Sequence, residues 1–411
     1  MKWPLATLRE VAPPKASTQL FPNSFVWHLS LEQIESDTGA VLAKNYDYPG
    51  NAGSSTFYFD TGNVLYSKLR PYLNKVVIPD EPGIATTELI PLRPDPKVLN
   101  PRYLAFYLRS PNFVKQASHH VAGAKMPRVV MDWFWKHKIP LPSLSEQKRI
   151  VEILDEADRM RKLRQEANQK AERIIPALFL TMFGDPATNP KGWPTDRLDQ
   201  LFDVMGGGTP SKSESTYWQG DIPWVSPKDM KRDVITNTED HITAEAIANS
   251  STKRVRKGSI LVVYRSGILS HTFPVAIAGN DLTLNQDLKA LYTKGELLNE
   301  YLYGWLTATS GLTLGCVKKG ATVHNIDGSR FLALHISKPP RSLQERFAAH
   351  LNNFLSQKDI RQTACDRIES LFSLLLHRAF SGQITAKGRE AHTKELVVEM
   401  EQQSRNLAKR T

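Results

Sequence analysis

The 411-residue chain has only two cysteines, Cys316 and Cys365. They lie in different stretches without a zinc spacing, so neither a disulfide framework nor a structural metal is expected. No run approaches the eighteen or so apolar residues of a spanning helix. The N-terminal MKWPLATLRE has no signal-peptide core, and a cytoplasmic protein is the expectation. Nucleotide motifs are missing too: there is no G-x-x-x-x-G-K-[ST] loop, and the triplet Gly206 to Gly208 lacks dinucleotide spacing. Nor is there an Asn-Pro-Pro-Tyr-like tetrapeptide for holding a flipped base; LNPRY at Asn100 and TNPKG at Asn189 do not match. A nuclease-like set can be assembled only loosely from Asp80, Asp95 and Lys97, among Pro79, Pro82, Pro94 and Pro96. His119 and His120 have no carboxylate or cysteine at ligand spacing and read as surface or cap residues. These absences leave binding machinery without a catalytic centre, a metal or a cofactor.

The net charge is +11 and the pI about 9.4, with Lys and Arg in both halves, which favours a polyanionic partner. Composition alone leaves DNA, RNA and an anionic membrane surface open. From Ser145, a good N-cap, to Phe183 the sequence predicts a long helix. Its apolar stripe runs Ile150, Leu154, Ala157, Met160, Leu163, Ala167, Ala171, Ile174, Leu178 and Met182, with charges on the other faces. Pro176 should bend this helix, which at 1.5 Å per residue would span roughly 58 Å.

The second half of the chain repeats the first at an offset of 197 residues. Gln147 aligns with Gln344, Arg149 with Arg346, Leu154 with Leu351, Leu178 with Leu375, and Phe183 with Phe380. Upstream, Ile139 aligns with Ile336, Phe134 with Phe331, and Gly123-Ala124 with Gly320-Ala321; Trp3, Pro4 and Leu8 parallel Trp193, Pro194 and Leu198. The expected order is a globule at 1–142, a helix at 143–186, a second globule at 187–338, a second helix at 339–382, and a charged tail at 383–411. With compact globules and short linkers, the second helix must run back along the first. The expected fold is therefore α+β: two globules with short-stranded sheets, separated by an antiparallel, coiled-coil pair of long helices, with an internal pseudo-two-fold repeat. The tail reads as an extra helix or a frayed end.

Basic loops supply the candidate contacts. In the second globule these are Ser211 and Lys212 after the three glycines, which permit close backbone approach, then Lys228 and Lys231. Arg265 and Ser266 follow a basic hairpin read in KRVRKGSILVVYRSG, and Lys318, Lys319 and His324 sit on a later loop. Trp218 and Trp224 read as core rather than as base-stacking platforms. The first globule carries FVWHLSLEQI against IPWVSPKDM, with Ser30 on Ser226, and presents Lys68, Arg70, Lys125 and Arg128 on loops of different sequence. One scaffold with two loop sets suits two readers of different base sequences.

The repeat, the stretch LPSLSEQKRIVEILDEAD with ALFLTMFGDP at its end, and GGTPSKSESTYWQGDIPWVSPKDM together resemble the specificity subunits of type I restriction-modification systems, from the N-terminus to about Gly382. The resemblance implies two target-recognition domains that grip double-stranded DNA at a bipartite, asymmetric site, with the helix pair setting their separation. It also implies two docked adenine-N6 methyltransferase (modification) subunits that use S-adenosylmethionine, and ATP-driven restriction/translocase subunits. None of those cofactors is expected in this chain, and no membrane partner is implied. The alternatives are an enzyme fused in one chain, and a DNA-binding regulator or scaffold that works without such partners.

Overall fold

The computed structural model describes residues 3–18, 24–320 and 322–408. Ala321, aligned above with Ala124, lies outside them. Two compact units form. One combines Met1–Arg164 with Cys365–Thr411; the other is Gln165–Ala364. Each long helix is therefore divided between the units.

In the N-terminal unit a four-stranded sheet runs in the order Asn45–Asp47, Val26–Leu29, Gly83–Thr86, Thr56–Phe59, beside a three-stranded sheet of Val76–Val77, Val64–Ser67 and Leu89–Leu92. The central pair of the first sheet is parallel, with Trp27 opposite Gly83. The middle unit repeats this pair with Trp224 opposite Thr283, also parallel. Its larger sheet has five strands in the order Phe202–Gly206, Leu288–Thr293, Ile260–Val263, Val275–Ala278, Val234–Ile235. Each globule is closed by joining its first strand to its last: Leu5 pairs with Pro140 in one and Thr195 with Ser337 in the other. The antiparallel register is the same in both, and it places Ile139 and Ile336 in fully buried positions.

The repeat is also kept in the polar bonds that hold each helix to its globule. Gln147 Nε2 donates to the carbonyls of Pro142 (2.9 Å) and Val98 (3.0 Å), while its Oε1 accepts the Asn100 N–H (2.8 Å). Gln344 does the same with Pro339 O (2.9 Å) and the Leu298 N–H (2.8 Å). A buried amide with both ends used carries no desolvation penalty of the kind an unpaired one would.

Within each unit the two helical segments run antiparallel. In the N-terminal unit Glu146 bonds Arg389 (2.9 Å) while Arg161 meets Glu369 (3.3 Å) and lies over the Phe372 ring. In the middle unit Lys358 pairs with Glu172 (2.8 Å), and Phe347 packs on Phe179 and Phe183. Arg161 and Lys358 are repeat equivalents, as are Glu369 and Glu172, so one cation-carboxylate pair occurs twice with the helices exchanged. Tyr103 against Phe380 and Tyr301 against Phe183 repeat a ring contact in the same way.

The structure corrects the stripe read from sequence. Ile150 and Leu154 are buried, but Met160, Leu163 and Ile174 are about half exposed, at 55, 51 and 47%. Successive steps of three residues turn only 300°, so the line drifts around the helix. The buried line instead passes through Gln147, Val151, Leu154, Asp158 and Arg161, where an ion pair takes the inward positions. Pro176 acts as expected. The first helix is Leu144–Ala171, and a second segment, Ile174–Phe183, begins just before the proline. The pyrrolidine ring excludes the carbonyl four residues back, at Glu172. Ser373 stands at the equivalent place in the second helix, which runs unbroken from Arg341 to Phe380.

The charged tail is ordered as helices Ala386–Ala391 and Thr393–Ala408, and both pack on the N-terminal unit. Gln403 Nε2 donates to Val98 O (2.6 Å) and Pro142 O (3.1 Å), the two carbonyls that Gln147 uses.

His137 gives this unit a pH dependence. Burial, with the charge of His120 in addition, pushes its pKa down from 6.5 to about 4, and it shares a hydrogen bond with the Tyr107 hydroxyl (2.8 Å). Below pH 6.5 the unfolded chain takes up the proton that the folded unit resists. Stability is therefore expected to fall as pH drops from 6.5 toward 4. His137→Phe should flatten that part of a urea-midpoint-versus-pH curve; an unchanged slope would remove His137 as its source.

Candidate nucleic-acid interface

In the N-terminal unit the strand Val64–Ser67 leaves the core through Lys68, Leu69 and Arg70 into a 3-10 turn, Pro71–Leu73. A small hairpin, Val121–Ala122 with Arg128–Val129, is tied to this exit. Val129 N–H donates to Lys68 O (2.9 Å), Arg70 N–H donates to Pro127 O (2.7 Å), and Leu69 bridges Arg128. Arg70 and Asn74, at φ 50° and 49°, flank the turn in left-handed conformation.

The middle unit builds the same edge. Strand Ile260–Val263 leads through Tyr264 into Arg265–Ser266 and the 3-10 turn Gly267–Ser270. Arg265 pairs with Asn325 and Ser266 with His324, on a hairpin of Val317–Lys318 and His324–Ile326. Both hairpins need a glycine at the same place. A Cβ on Gly123, whose φ is +93°, would stand 3.1 Å from Met126 O; one on Gly320 would stand 2.2 Å from Val323 O. His324 Nδ1 closes the second loop by accepting the Gly320 N–H (3.2 Å).

These edges gather Lys68, Arg70, Lys125 and Arg128 in one unit, and Arg265, Ser266, Lys318, Lys319 and His324 in the other. The cations then divide into two groups. Arg128 is held by both oxygens of Glu88 (3.0 Å from Nε, 2.8 Å from Nη2), which keeps the Glu88 carboxyl below its usual range. Lys318 is paired with Asp327 (3.0 Å), whose pKa it lowers. Among the described residues no carboxylate pairs with Lys68, Arg70, Lys125, Arg265 or Lys319, and all but the half-buried Lys68 are exposed. The four exposed cations are free to meet an anion, whereas the charge of Lys68 faces Glu88 and helps hold that carboxyl down.

The other candidates lie apart from these edges in the middle-unit chain. Ser211 and Lys212 are exposed on the loop after the glycine triplet, where Ser211 Oγ bonds Ser213 Oγ (2.7 Å). Lys228 is engaged by Glu239 and Asp240 (both 2.9 Å), which raise its pKa, while Lys231 is exposed.

Two sequence readings need correction. Gly207 and Gly208 permit close approach, but to the chain itself: a Cβ would meet Asn285 O at 1.9 Å and Ser251 Oγ at 2.4 Å. The glycines pack the loop, and Trp224 Nε1 donates to Gly208 O (3.0 Å). The basic segment at Lys253–Lys257 is not half of a hairpin with the strand after it. Arg254–Val255 pairs with Leu282–Leu284, whereas Ile260–Val263 pairs with two strands of the other sheet.

The nuclease-like set does not assemble, since Asp80 pairs with Lys44 (2.8 Å) and Asp95 caps the Lys97 N–H (3.0 Å). Among the described residues no group of three or more His, Cys, Asp or Glu side chains is placed to hold a metal. His119 and His120 end a helix, and His120 stacks on Trp133. Trp224 is buried, with Trp218 edge-on to it at 5.0 Å, as core residues would be. No helix among the described residues is long and apolar enough to cross a membrane.

Residues 37–173 and 190–370 match the type I restriction modification DNA specificity domain. This covers most of the chain and both copies of the repeat. The chain belongs to that family. It is 35% identical over 230 residues to the Type I restriction enzyme EcoR124I/EcoR124II specificity subunit of Escherichia coli, covering 53% of this chain and 55% of that relative. The matched stretch thus spans about half of that relative's length. A longer, weaker match, 20% identical over 436 residues, joins it to the HindI specificity subunit of Haemophilus influenzae, covering 85% of this chain and 93% of the relative. Among solved structures, the type I restriction-modification system S subunit from M. genitalium is similar over 92% of this chain and 96% of its own, at 12% identity and a TM-score of 0.52. A chain from a study of complex assembly in the type I R-M system reaches a TM-score of 0.59 at 21% identity, over 93% of this chain and 98% of that one. These likenesses establish the specificity-subunit fold.

Sequence reasoning named the cations but could not say which are paired with carboxylates, and it did not single out the exposed apolar side chains at the same edges. Tyr72 is 54% exposed, Met126 45% and Ile268 44%. Their only signal in sequence is an apolar residue inside a polar loop.

Proposed function

We propose that this specificity-family chain is the non-catalytic DNA-recognition subunit of a type I restriction-modification complex. Each unit presents one turn-and-hairpin edge to double-stranded DNA, and the two together read a bipartite, asymmetric site. The observation that carries this reading is the edge itself. It recurs in both units on the same scaffold, bears unpaired cations suited to phosphate, and has different residues at each tip.

The chain would also scaffold its partners. The N-terminal unit exposes Leu163 and Leu371, and the middle unit exposes Ile360 at 70% and Ile174. Leu163 aligns with Ile360 and Ile174 with Leu371, so the same apolar helix positions are presented twice. That arrangement suits two copies of an adenine-N6 methyltransferase subunit, with restriction/translocase subunits completing the complex. S-adenosylmethionine and ATP chemistry belongs to those partners.

The test is to express the chain with the methyltransferase of its own system and map N6-methyladenine across the host genome. One bipartite motif, with a methylated adenine in each half on opposite strands, is the expected result. A soluble complex that adds no methylation would favour a DNA-binding scaffold instead. Arg70→Gln and Lys125→Gln should each weaken binding to all sequences and reduce the slope of log K against log salt by about 0.9 per lost phosphate contact. An unchanged slope in both variants would place the phosphate contacts elsewhere.

A further inference from the structure

The two edges differ in their exposed apolar side chains as well as in charge. In the N-terminal unit Tyr72 stands on the 3-10 turn, two residues after the exposed Arg70, and Met126 at the hairpin tip follows the exposed Lys125. In the middle unit Ile268 stands on the equivalent turn, next to Arg265 and opposite the Lys319 loop. That loop is close by, since a Cβ on Gly267 would lie 3.5 Å from Thr322 O.

Exposing a large apolar side chain forgoes the stabilisation that its burial would give. Cations on the same edge disfavour an apolar protein partner but match a polyanion that offers apolar groups between its phosphates. In duplex DNA such groups line the major groove as thymine C5-methyls. The base of each hairpin is meanwhile fixed by an internal ion pair, Arg128 with Glu88 and Lys318 with Asp327. Those two cations are thereby occupied as scaffold, which leaves base discrimination to the tips and turns.

We propose that Tyr72 and Met126 in one unit, and Ile268 in the other, are specificity-determining residues that read thymine methyl groups, one set for each half of the DNA site. This rests on the DNA-recognition reading above and assigns it to particular side chains. The role of Arg70, Lys125, Arg265 and Lys319 on the same edges is to position them on phosphates without choosing the sequence.

The test uses the full chain in complex with its methyltransferase. Met126→Ala and Ile268→Ala are each compared with the parent by methylation mapping and by competition binding to duplexes in which thymine is replaced by uracil, one position at a time. Each variant is expected to lose about tenfold discrimination at one thymine of one half-site, and uracil there should cost the parent the same factor while costing the variant nothing. The other half-site should be unaffected, which also reports that the rest of the protein remains folded. Both variants retaining the parental motif and the parental response to uracil would overturn the assignment while leaving the DNA-recognition reading in place. A parent complex with no sequence preference would overturn both.

Discussion

Phe179→Ala is expected to lower the stability of the middle unit by about 4 kcal/mol, the cost of emptying a fully buried aromatic site. Phe179 has no exposed surface, and its ring lies 4.8 Å from Phe183, 5.2 Å from Tyr301 and 5.5 Å from Phe347. The cluster joins both long helices to the helix Asn299–Ala308. Gly304 on that helix leaves room for it, since a Cβ there would come within 2.4 Å of Phe347 and 2.7 Å of Phe179. Few neighbours can collapse into the vacated volume, because each is held by a second ring or by backbone. Phe179→Leu should cost much less. Chemical denaturation, read by hydrogen exchange at amides of the middle unit, measures both. A loss below about 1 kcal/mol for the alanine variant would show that these rings do not couple the helices to the globule.

Arg389→Ala should destabilise the N-terminal unit by about 3 kcal/mol, because it leaves a buried carboxylate without its cation. Glu146 is almost wholly enclosed, with its side chain 4% exposed. It accepts hydrogen bonds from Arg389 Nε (2.9 Å), the Thr385 hydroxyl (2.6 Å) and Trp3 Nε1 (2.9 Å). The Arg389 guanidinium also lies over the Trp3 ring, 4.9 Å from its centroid. Three distant pieces of chain thus meet on one carboxylate: the N-terminus, the start of the first long helix, and the tail. In a double-mutant cycle with Glu146→Gln, the two substitutions together should cost less than the sum of each alone. Additive costs would mean that the pair does not couple. At the repeat-equivalent position the middle unit has Leu343, which offers no carboxylate for such a clamp.

Much of this was legible in the residues, and the misses have physical causes. Gln147 and Gln344 were aligned as letters, and the structure shows both bridging helix to globule through the same set of backbone groups. Pro176 was read correctly because its effect is local: the ring acts on a carbonyl four residues away. The apolar stripe failed at Met160, Leu163 and Ile174, while Ala157, Leu178 and Met182 pack on the cores, because spacing alone does not say which of two adjacent lines faces inward. Packing selected the line through Asp158 and Arg161, where Lys162 and Glu369 complete the charge pairing. The glycine triplet was read as permitting close backbone approach, and at Gly207 and Gly208 the atoms that approach are the protein's own. The tail read as an extra helix or a frayed end, and its charges could not choose between them, because Glu146, the residue that anchors Arg389, lies more than two hundred positions earlier.

What the amino-acid order determined by itself was the duplication, the long helices, their antiparallel sense and the family, because each is written in periodicity or in residue identity at a constant offset. What only the tertiary structure decided was which charges are spent. Arg128, Lys228 and Lys318 look the same in sequence as Arg70, Lys125 and Arg265. Folding brings carboxylates to the first three and, among the described residues, to none of the second. A cation's availability to DNA depends on neighbours that the chain supplies from distant positions, and those positions become neighbours only when the sheets and hairpins close.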